Sequence, residues 1–139
     1  MPAIANFLDT NVLVYSTTSE TKAVVAQKLM SEPFVISAQA LNEFANVGRR
    51  KLSLSWERIT QIVSDLTEAA EVVVSVEPGM TKTALRLVQH YNLAFYDAVM
   101  ISAALKAKCT IYYSEDLQHG LIIDTTLTIQ NPFREPSPS

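Results

Sequence analysis

Short apolar runs alternate along the chain with longer segments of helical periodicity. The runs are brief and rich in β-branched or aromatic residues, which predicts strands at 3–8, 34–37, 71–77 and 110–114. The segment 121–130 contains one or two more strands. In the longer segments apolar residues recur three or four positions apart, which predicts helices at 19–32, 38–50, 56–66, 80–91 and 96–108, with a further helix beginning in 11–18.

Local signals refine two of these elements. The helix at 19–32 has Ser19 as its expected N-cap. Its predicted apolar stripe consists of Val24, Val25, Leu29 and Met30. Pro78 and Gly79 break the strand at 71–77, so the next helix is expected to begin at residue 80.

The alternation predicts an α/β fold, a three-layer α/β/α sandwich with a mainly parallel central sheet covered on both faces. A chain of 139 residues is the size of one domain, expected at 1–133. The ending NPFREPSPS is rich in Pro and Ser, so residues 134–139 are expected to be a disordered tail. In such sheets the functional site lies beyond the carboxyl ends of the strands.

Four acidic residues stand out by their position. Asp9 directly follows the first predicted strand, and Asp116 follows the strand at 110–114. Asp97 and Glu43 each lie on the apolar side of a predicted helix, with no basic residue at helical distance from Glu43. A charge that faces the core is costly unless it is paired or bound to a metal. Hard oxygen ligands without nearby His or Cys favour Mg²⁺ or Mn²⁺.

Simpler interpretations of the same four residues stay open. Asp97 and Asp116 can each cap a helix, and Asp9 can end its strand through an Asx-turn with Asn11. Glu43 can reach solvent on its long side chain. The joint occurrence of all four carries more weight than any one of them, because the strand-end rule selects Asp9 and Asp116 independently of the helical pattern.

Composition and charge bear on the partner and the compartment. The net charge of −3 argues weakly against a nucleic-acid partner, but a bound divalent cation reverses the local field. The single cysteine, Cys109, cannot form an internal disulfide, which fits a reducing cytoplasm. No basic signal region precedes the first strand, and the apolar run AVMISAAL is too short to span a bilayer, so no membrane partner is expected.

The segments FLDTNVLVY, LNEF, FYDAVMISAAL and YYSEDLQHG resemble the PIN-domain family, and most closely its VapC-type toxins, over residues 3–133. The resemblance implies a five-stranded parallel sheet and a Mg²⁺-dependent endoribonuclease that is usually dimeric and inhibited by a cognate antitoxin. The expected partners are therefore an RNA substrate, an antitoxin and a second copy of the chain. The family's acidic quartet falls on Asp9, Glu43, Asp97 and Asp116, and its conserved hydroxyl position on Ser114.

The chemistry of phosphodiester hydrolysis suggests roles for these residues. Asp9, Asp97 and Asp116 are expected to bind the metal, directly or through water, whereas Glu43 either binds it or orients the attacking water. Ser114 and Asn11 are expected to support the site, and the alternative for Ser114 is an ordinary strand-end residue. The cluster Arg49, Arg50 and Lys51 either grips phosphates or forms a solvated helix end.

Three competing functions are weighed against this one. A phosphatase of the haloacid dehalogenase type needs a second Asp two residues after Asp9, and Asn11 stands there instead. A non-catalytic binding module has no need of an intact acidic quartet. A PIN nuclease that acts without an antitoxin is the remaining alternative, and the sequence does not identify which RNA is cut.

Overall fold

The computed structural model describes residues 3–134. Its strands are β1 (Asn6–Leu8), β2 (Phe34–Ser37), β3 (Val72–Val74), β4 (Ile111–Tyr113), β5 (Ile122–Ile123) and β6 (Leu127–Gln130). Its helices are α1 (Thr10–Ser16), α2 (Lys22–Met30), α3 (Ala38–Arg50), α4 (Trp56–Ala69), α5 (Pro78–Tyr91) and α6 (Phe95–Lys106). The α/β class and the mainly parallel sheet predicted from the sequence are confirmed.

The strands form one sheet in the order β3-β2-β1-β4-β6-β5. All neighbours are parallel except β5 and β6, which pair antiparallel. The expected number of five strands is wrong, because residues 121–130 fold back as a hairpin and add a sixth strand. Asp124 and Thr125 make the turn possible, since both adopt the left-handed region with φ of 50° and 61°.

The strand order creates a crevice beside β1. From β1 the chain moves to β2 and then β3 on one side, and it returns to β4 on the other side of β1. Where the direction of winding reverses, the connections leave a gap beyond the carboxyl ends of the two central strands. The segments that follow β1 and β4 therefore meet at this gap, and they contain Asp9 and Ser114–Asp116.

The core packs around the central strands and α6. Phe7 and Leu8 of β1 and Tyr112 of β4 have no solvent exposure. Every residue of α6 from 98 to 104 is buried, so this helix passes through the interior rather than over the surface. The burial fixes the first turn of α6, and hence Asp97, relative to the sheet.

Two details of the helix predictions are wrong. The second helix begins at Lys22, and its N-cap is Thr21 without a side-chain hydrogen bond, so Ser19 is not the cap. Its buried residues are Ala23 and Ala26, whereas Val24 is 70% exposed. Small residues allow α2 to lie close to α1, which turns part of the predicted stripe towards solvent.

The start of α5 also differs from the prediction. Pro78 does end the preceding strand, but it occupies the first turn of the helix, where its missing N–H costs nothing and its φ suits the helix. The predicted disorder of the tail concerns residues 134–139, of which all but Arg134 lie outside the described residues. Within 3–134, no helix is long and apolar enough to cross a membrane.

Candidate active site

A cleft of about 420 Å³ opens beyond the carboxyl ends of β1 and β4. The structure brings all four predicted carboxylates to its walls, namely Asp9, Glu43, Asp97 and Asp116. Asn11 also lines the cleft. Ser114 is fully buried behind the lining.

Asp9 joins the first strand to the first helix. Its side-chain Oδ1 accepts a 2.7 Å hydrogen bond from the backbone N–H of Thr10, and it serves as the N-cap of α1. The residue is only 8% exposed. Burial raises the pKa of Asp9 to about 6, the Ser114 hydroxyl and the Thr10 N–H oppose that rise, and the charges of Asp97 and Glu43 add to it.

Asp97 lies in the first turn of α6 but does not cap it. The N-cap is Ala94, which offers no side-chain hydrogen bond, so the capping interpretation of Asp97 is wrong. Burial raises the pKa of Asp97, and the neighbouring charges of Glu43 and Asp116 raise it further. Two of the other three carboxylates thus raise the pKa of Asp97, so these groups share one electrostatic environment.

Glu43 is held inside the cleft by its neighbours rather than released to solvent. The Thr10 hydroxyl donates a 2.6 Å hydrogen bond to Oε2, and Gln39 approaches Oε1 at 3.4 Å from one turn earlier in α3. Glu43 is half-buried. Thr10 therefore links the end of β1 to α3, since its backbone engages Asp9 and its side chain engages Glu43.

Asn11 organises the loop that carries Asp116. Its Nδ2 donates to Asp116 Oδ2 at 3.1 Å and to Ser114 Oγ at 3.4 Å, and its Oδ1 accepts from the backbone N–H of Glu115 at 3.3 Å. Ser114 Oγ also accepts from the backbone N–H of Asp116 at 3.2 Å. No helix follows at 117–120, so Asp116 is not a helix cap.

A second group of contacts fixes the same loop from outside. Glu115 accepts a hydrogen bond from the Tyr15 hydroxyl at 2.9 Å and forms an ion pair with Lys22 at 2.5 Å. The Lys22 ammonium also lies 4.8 Å from the centre of the Tyr15 ring. These partners lie 93 to 100 positions from Glu115 along the chain, so no short-range sequence pattern signals them.

Few basic side chains lie near the cleft. Lys51 lines it, whereas Arg49 turns away to the Leu54 carbonyl at 3.2 Å and lies 5.0 Å from the Trp56 ring. Within residues 3–134 none of the salt bridges involves Asp9, Glu43, Asp97 or Asp116. The cleft therefore gathers negative charge that the described part of the protein does not neutralise with an ion pair.

The donor chemistry of the cleft fits a hard divalent cation. Its lining includes several carboxylates and neutral oxygen donors but neither His nor Cys. In the described range, no three acidic, His or Cys side chains converge closely enough to form a ready-made metal centre. Thr10 engages one oxygen of Asp9 and one of Glu43, and the second oxygen of each carboxylate has lone pairs left for an ion.

Comparisons with known proteins identify the family of the chain. The PIN domain profile matches residues 7–119, most of the chain, and the protein belongs to the PIN-domain family. No curated protein matches it in sequence. The chain is similar to the Mycobacterium tuberculosis toxin VapC20, described as cleaving the sarcin–ricin loop, with 18% identity, a TM-score of 0.63, and coverage of 78% of this chain and 87% of that one.

Two complexes contain similar chains. One is a toxin–antitoxin complex from Klebsiella pneumoniae, with 16% identity, a TM-score of 0.71, and coverage of 94% of this chain and 100% of that one. The other is VapBC2 from Rickettsia felis bound to a promoter DNA fragment, with 16% identity, a TM-score of 0.65, and coverage of 92% and 98%. These likenesses confirm the PIN-like fold and the resemblance found in the sequence.

Proposed function

We propose that the protein is an endoribonuclease that depends on Mg²⁺ or Mn²⁺ and acts as the toxin of a toxin–antitoxin pair. The observation that carries the proposal is the gathering of four carboxylates in one cleft, none of which forms an ion pair within residues 3–134. Uncompensated buried charge is costly, and a divalent cation is the simplest compensation for it.

The chain's own residues divide the work of hydrolysis in this proposal. Asp9, Asp97 and Asp116 would hold the ion, which supplies positive charge opposite the phosphoryl oxygens and acidifies a bound water. We assign Glu43 to orienting the attacking water, because Thr10 already engages its Oε2 whereas Oε1 has only the long contact with Gln39.

Asn11 and Ser114 have supporting roles in this scheme. Asn11 bonds to Asp116 directly and to the loop backbone, which keeps that carboxylate facing the cleft. Ser114 accepts bonds from Asn11 and from the Asp116 backbone, so it stabilises the turn from within. Neither residue is expected to contact the substrate.

RNA is the proposed substrate. VapC20, which has a similar fold, is described as a toxin that cleaves the sarcin–ricin loop, an RNA. Lys51 on the cleft wall offers the charge that a phosphate backbone needs, and Asn46 beside it offers a polar contact. We favour a single-stranded or looped segment, whose bases can be splayed away from the backbone.

The similar structures also suggest a protein partner. The similar Klebsiella and Rickettsia structures are of toxin–antitoxin complexes, which supports a cognate antitoxin here. An antitoxin that places an Arg or Lys in the cleft would replace the charge of the cation and exclude it. Co-expression with the product of the neighbouring reading frame should give a complex and relieve growth arrest. Absence of both would favour a PIN nuclease that acts alone.

We also propose a homodimer in the cytoplasm. Val24 on α2 and Trp56 at the start of α4 are 70% and 60% exposed, which leaves large apolar groups for a second subunit to cover. Cys109 is free and buried, as suits a reducing compartment. Light scattering should find a dimer at micromolar concentration, and a monomer would contradict the proposal.

The nuclease activity is tested with purified protein on matched RNA and DNA oligonucleotides. We expect cleavage of single-stranded RNA with Mg²⁺ or Mn²⁺, none after chelation with EDTA, and recovery when the metal is restored. Cleavage that persists in EDTA would contradict the metal-dependent mechanism. Cleavage of DNA at the same rate would contradict the assignment of RNA.

A further inference from the structure

One buried polar atom beneath the cleft has no partner. Among residues 3–134, the Tyr112 hydroxyl is the buried side-chain donor or acceptor without a hydrogen bond. Tyr112 has no solvent exposure, so water does not replace the missing partner from outside. Buried hydroxyls are almost always hydrogen-bonded, and an exception calls for an explanation.

The pairing of β1 with β4 fixes the direction of this side chain. Phe7 is the register partner of Tyr112, and their rings stack at 5.2 Å with 15° between planes. Side chains two positions apart in extended backbone point to the same face. Asp9 continues the extended backbone after Phe7, with φ −75° and ψ 164°, so its side chain lies on the face that Tyr112 occupies.

The electrostatics agree with this placement. Burial raises the pKa of Tyr112 well above its usual value, and the charges of Asp9, Asp97 and Glu43 and the closeness of the Asp9 carboxylate to the hydroxyl raise it further. The hydroxyl is therefore within reach of the field of the acidic cleft. A phenol hydroxyl can donate a hydrogen bond, and this one lies on the face of the most buried of the cleft carboxylates, Asp9.

We propose that Tyr112 is a positioning residue for the cation site, whose hydroxyl donates to the Asp9 carboxylate when that carboxylate turns from Thr10 to hold the divalent ion. The inference rests on the proposed metal-dependent function. In the structure the Thr10 N–H donates to Asp9 Oδ1, and no hydrogen bond joins the Tyr112 hydroxyl to Asp9. Donors behind a ligating carboxylate fix its orientation and strengthen metal binding.

Tyr113 provides a matched control on the same strand. It is half-buried, it is the register partner of Leu8, and its side chain points to the opposite face of the sheet. Its backbone carbonyl accepts from the Asp9 N–H at 3.0 Å, and a change to Phe leaves that bond in place. Tyr112→Phe and Tyr113→Phe thus each remove one hydroxyl from β4, and only the first faces the cleft.

The experiment is calorimetric titration of Mn²⁺ into the full chain without RNA. We expect Tyr112→Phe to weaken Mn²⁺ binding about 10-fold with an unchanged or higher thermal midpoint, because the hydroxyl it removes is unpaired in the metal-free fold. Tyr113→Phe should bind as the wild type does. In RNA cleavage, Tyr112→Phe should raise the Mn²⁺ concentration for half-maximal rate more than it lowers the rate at saturation.

A second measurement uses the wild-type protein alone. Adding Mg²⁺ should shift tyrosine absorption near 285 nm to longer wavelength as the hydroxyl becomes a donor, and Tyr113→Phe should retain that shift. Equal Mn²⁺ affinity of the wild type and Tyr112→Phe would overturn the role of Tyr112 and leave the proposed function standing. Absence of Mn²⁺ binding in the wild type would overturn both.

Discussion

The carboxylates of the cleft differ from the carboxylate of Asp124, in the β5–β6 turn, in their ion pairing and in the direction of their pKa shifts. Asp124 receives two hydrogen bonds from Arg86, at 3.0 and 2.7 Å, and another from the Tyr91 hydroxyl at 3.3 Å. Arg86 is the main cause that lowers the pKa of Asp124. Asp9 and Asp97 have no such ion pair within the described residues, and burial raises the pKa of both.

Under the proposed function, the difference separates a charge that supports the fold from charges that bind a ligand. Arg86 and Asp124 join α5 to the hairpin, and the pair is complete within the chain. Burial and neighbouring negative charges raise the pKa of Asp9 and Asp97, so these two carboxylates make the metal-free protein less stable at neutral pH than it would otherwise be. Proteins retain such costly groups where function requires them.

The largest expected effect on RNA cleavage comes from removing one charge from the cleft. Asp9→Asn and Asp97→Asn should each reduce RNA cleavage about 1,000-fold or more, equal to about 4 kcal/mol, because a ligand for the cation is lost. Asp124→Asn is the matched control and should cleave at the wild-type rate. Cleavage rates at saturating Mg²⁺ measure all three variants. Near wild-type activity in Asp9→Asn or Asp97→Asn would remove that residue from the site.

The stability of the metal-free protein should depend on pH in opposite ways in the two regions. The folded-state pKa of Asp9 is raised from 3.8 to about 6, so its contribution is fully present below pH 3.8 and is lost as pH rises towards 6. The loss amounts to about 3 kcal/mol. Asp124, whose pKa is lowered, contributes above pH 3.8 and loses that contribution as pH falls further.

Urea unfolding of the wild type and Asp9→Asn at pH 4 and pH 7, in EDTA, isolates the contribution of Asp9. Asp9→Asn should be more stable than the wild type at pH 7, and the difference should shrink towards pH 4. A difference that stays constant between these pH values would show that the burial of Asp9 does not perturb its ionisation in the fold.

A smaller effect is expected at the contacts that hold the Asp116 loop. Lys22→Met breaks the ion pair with Glu115 but keeps a chain of similar length, and it should lower cleavage about 10-fold through misplacement of Asp116. Lys28→Met, on the exposed surface of the same helix, is the control. If both variants cleave as the wild type does, the loop does not depend on Lys22.

The smallest effect concerns the stability role of the Arg86–Asp124 pair. Asp124→Asn should lower the free energy of unfolding by about 1 kcal/mol or less, because both side chains are partly exposed and solvent screens their attraction. Denaturant unfolding at pH 7 measures this change. A loss of several kcal/mol would mean that the hairpin depends on this pair for its stability. The pair would then not be the weak surface contact that the account assumes.

The four acidic positions could be predicted from the sequence because short-range patterns single them out. Asp9 and Asp116 follow strands, and Asp97 and Glu43 break an apolar helical face, so each is visible within a few residues. The parallel sheet followed from the alternation of strands and helices in the same way. The domain bounds 1–133 and the roles of the individual site residues stay predictions.

Other features depend on contacts between distant segments. Thr10 meets Glu43 across 33 positions and Tyr15 meets Glu115 across 100, and neither pair has a spacing that a single sequence reveals. The two-residue strand β5 exists only because β6 offers it a partner. The burial of Ala23 and Ala26 in place of Val24 likewise depends on how closely α1 approaches.

The central claim is that the cleft receives from a divalent cation the charge that Asp124 receives from Arg86. Thermal unfolding of the wild type and Asp97→Asn at pH 7.5, over a range of Mn²⁺ concentrations, tests it most directly. At a 100-fold excess over the dissociation constant, Mn²⁺ should raise the wild-type midpoint by about 5–10 °C and leave Asp97→Asn nearly unchanged. An equal rise in both proteins, or none in the wild type, would contradict the claim.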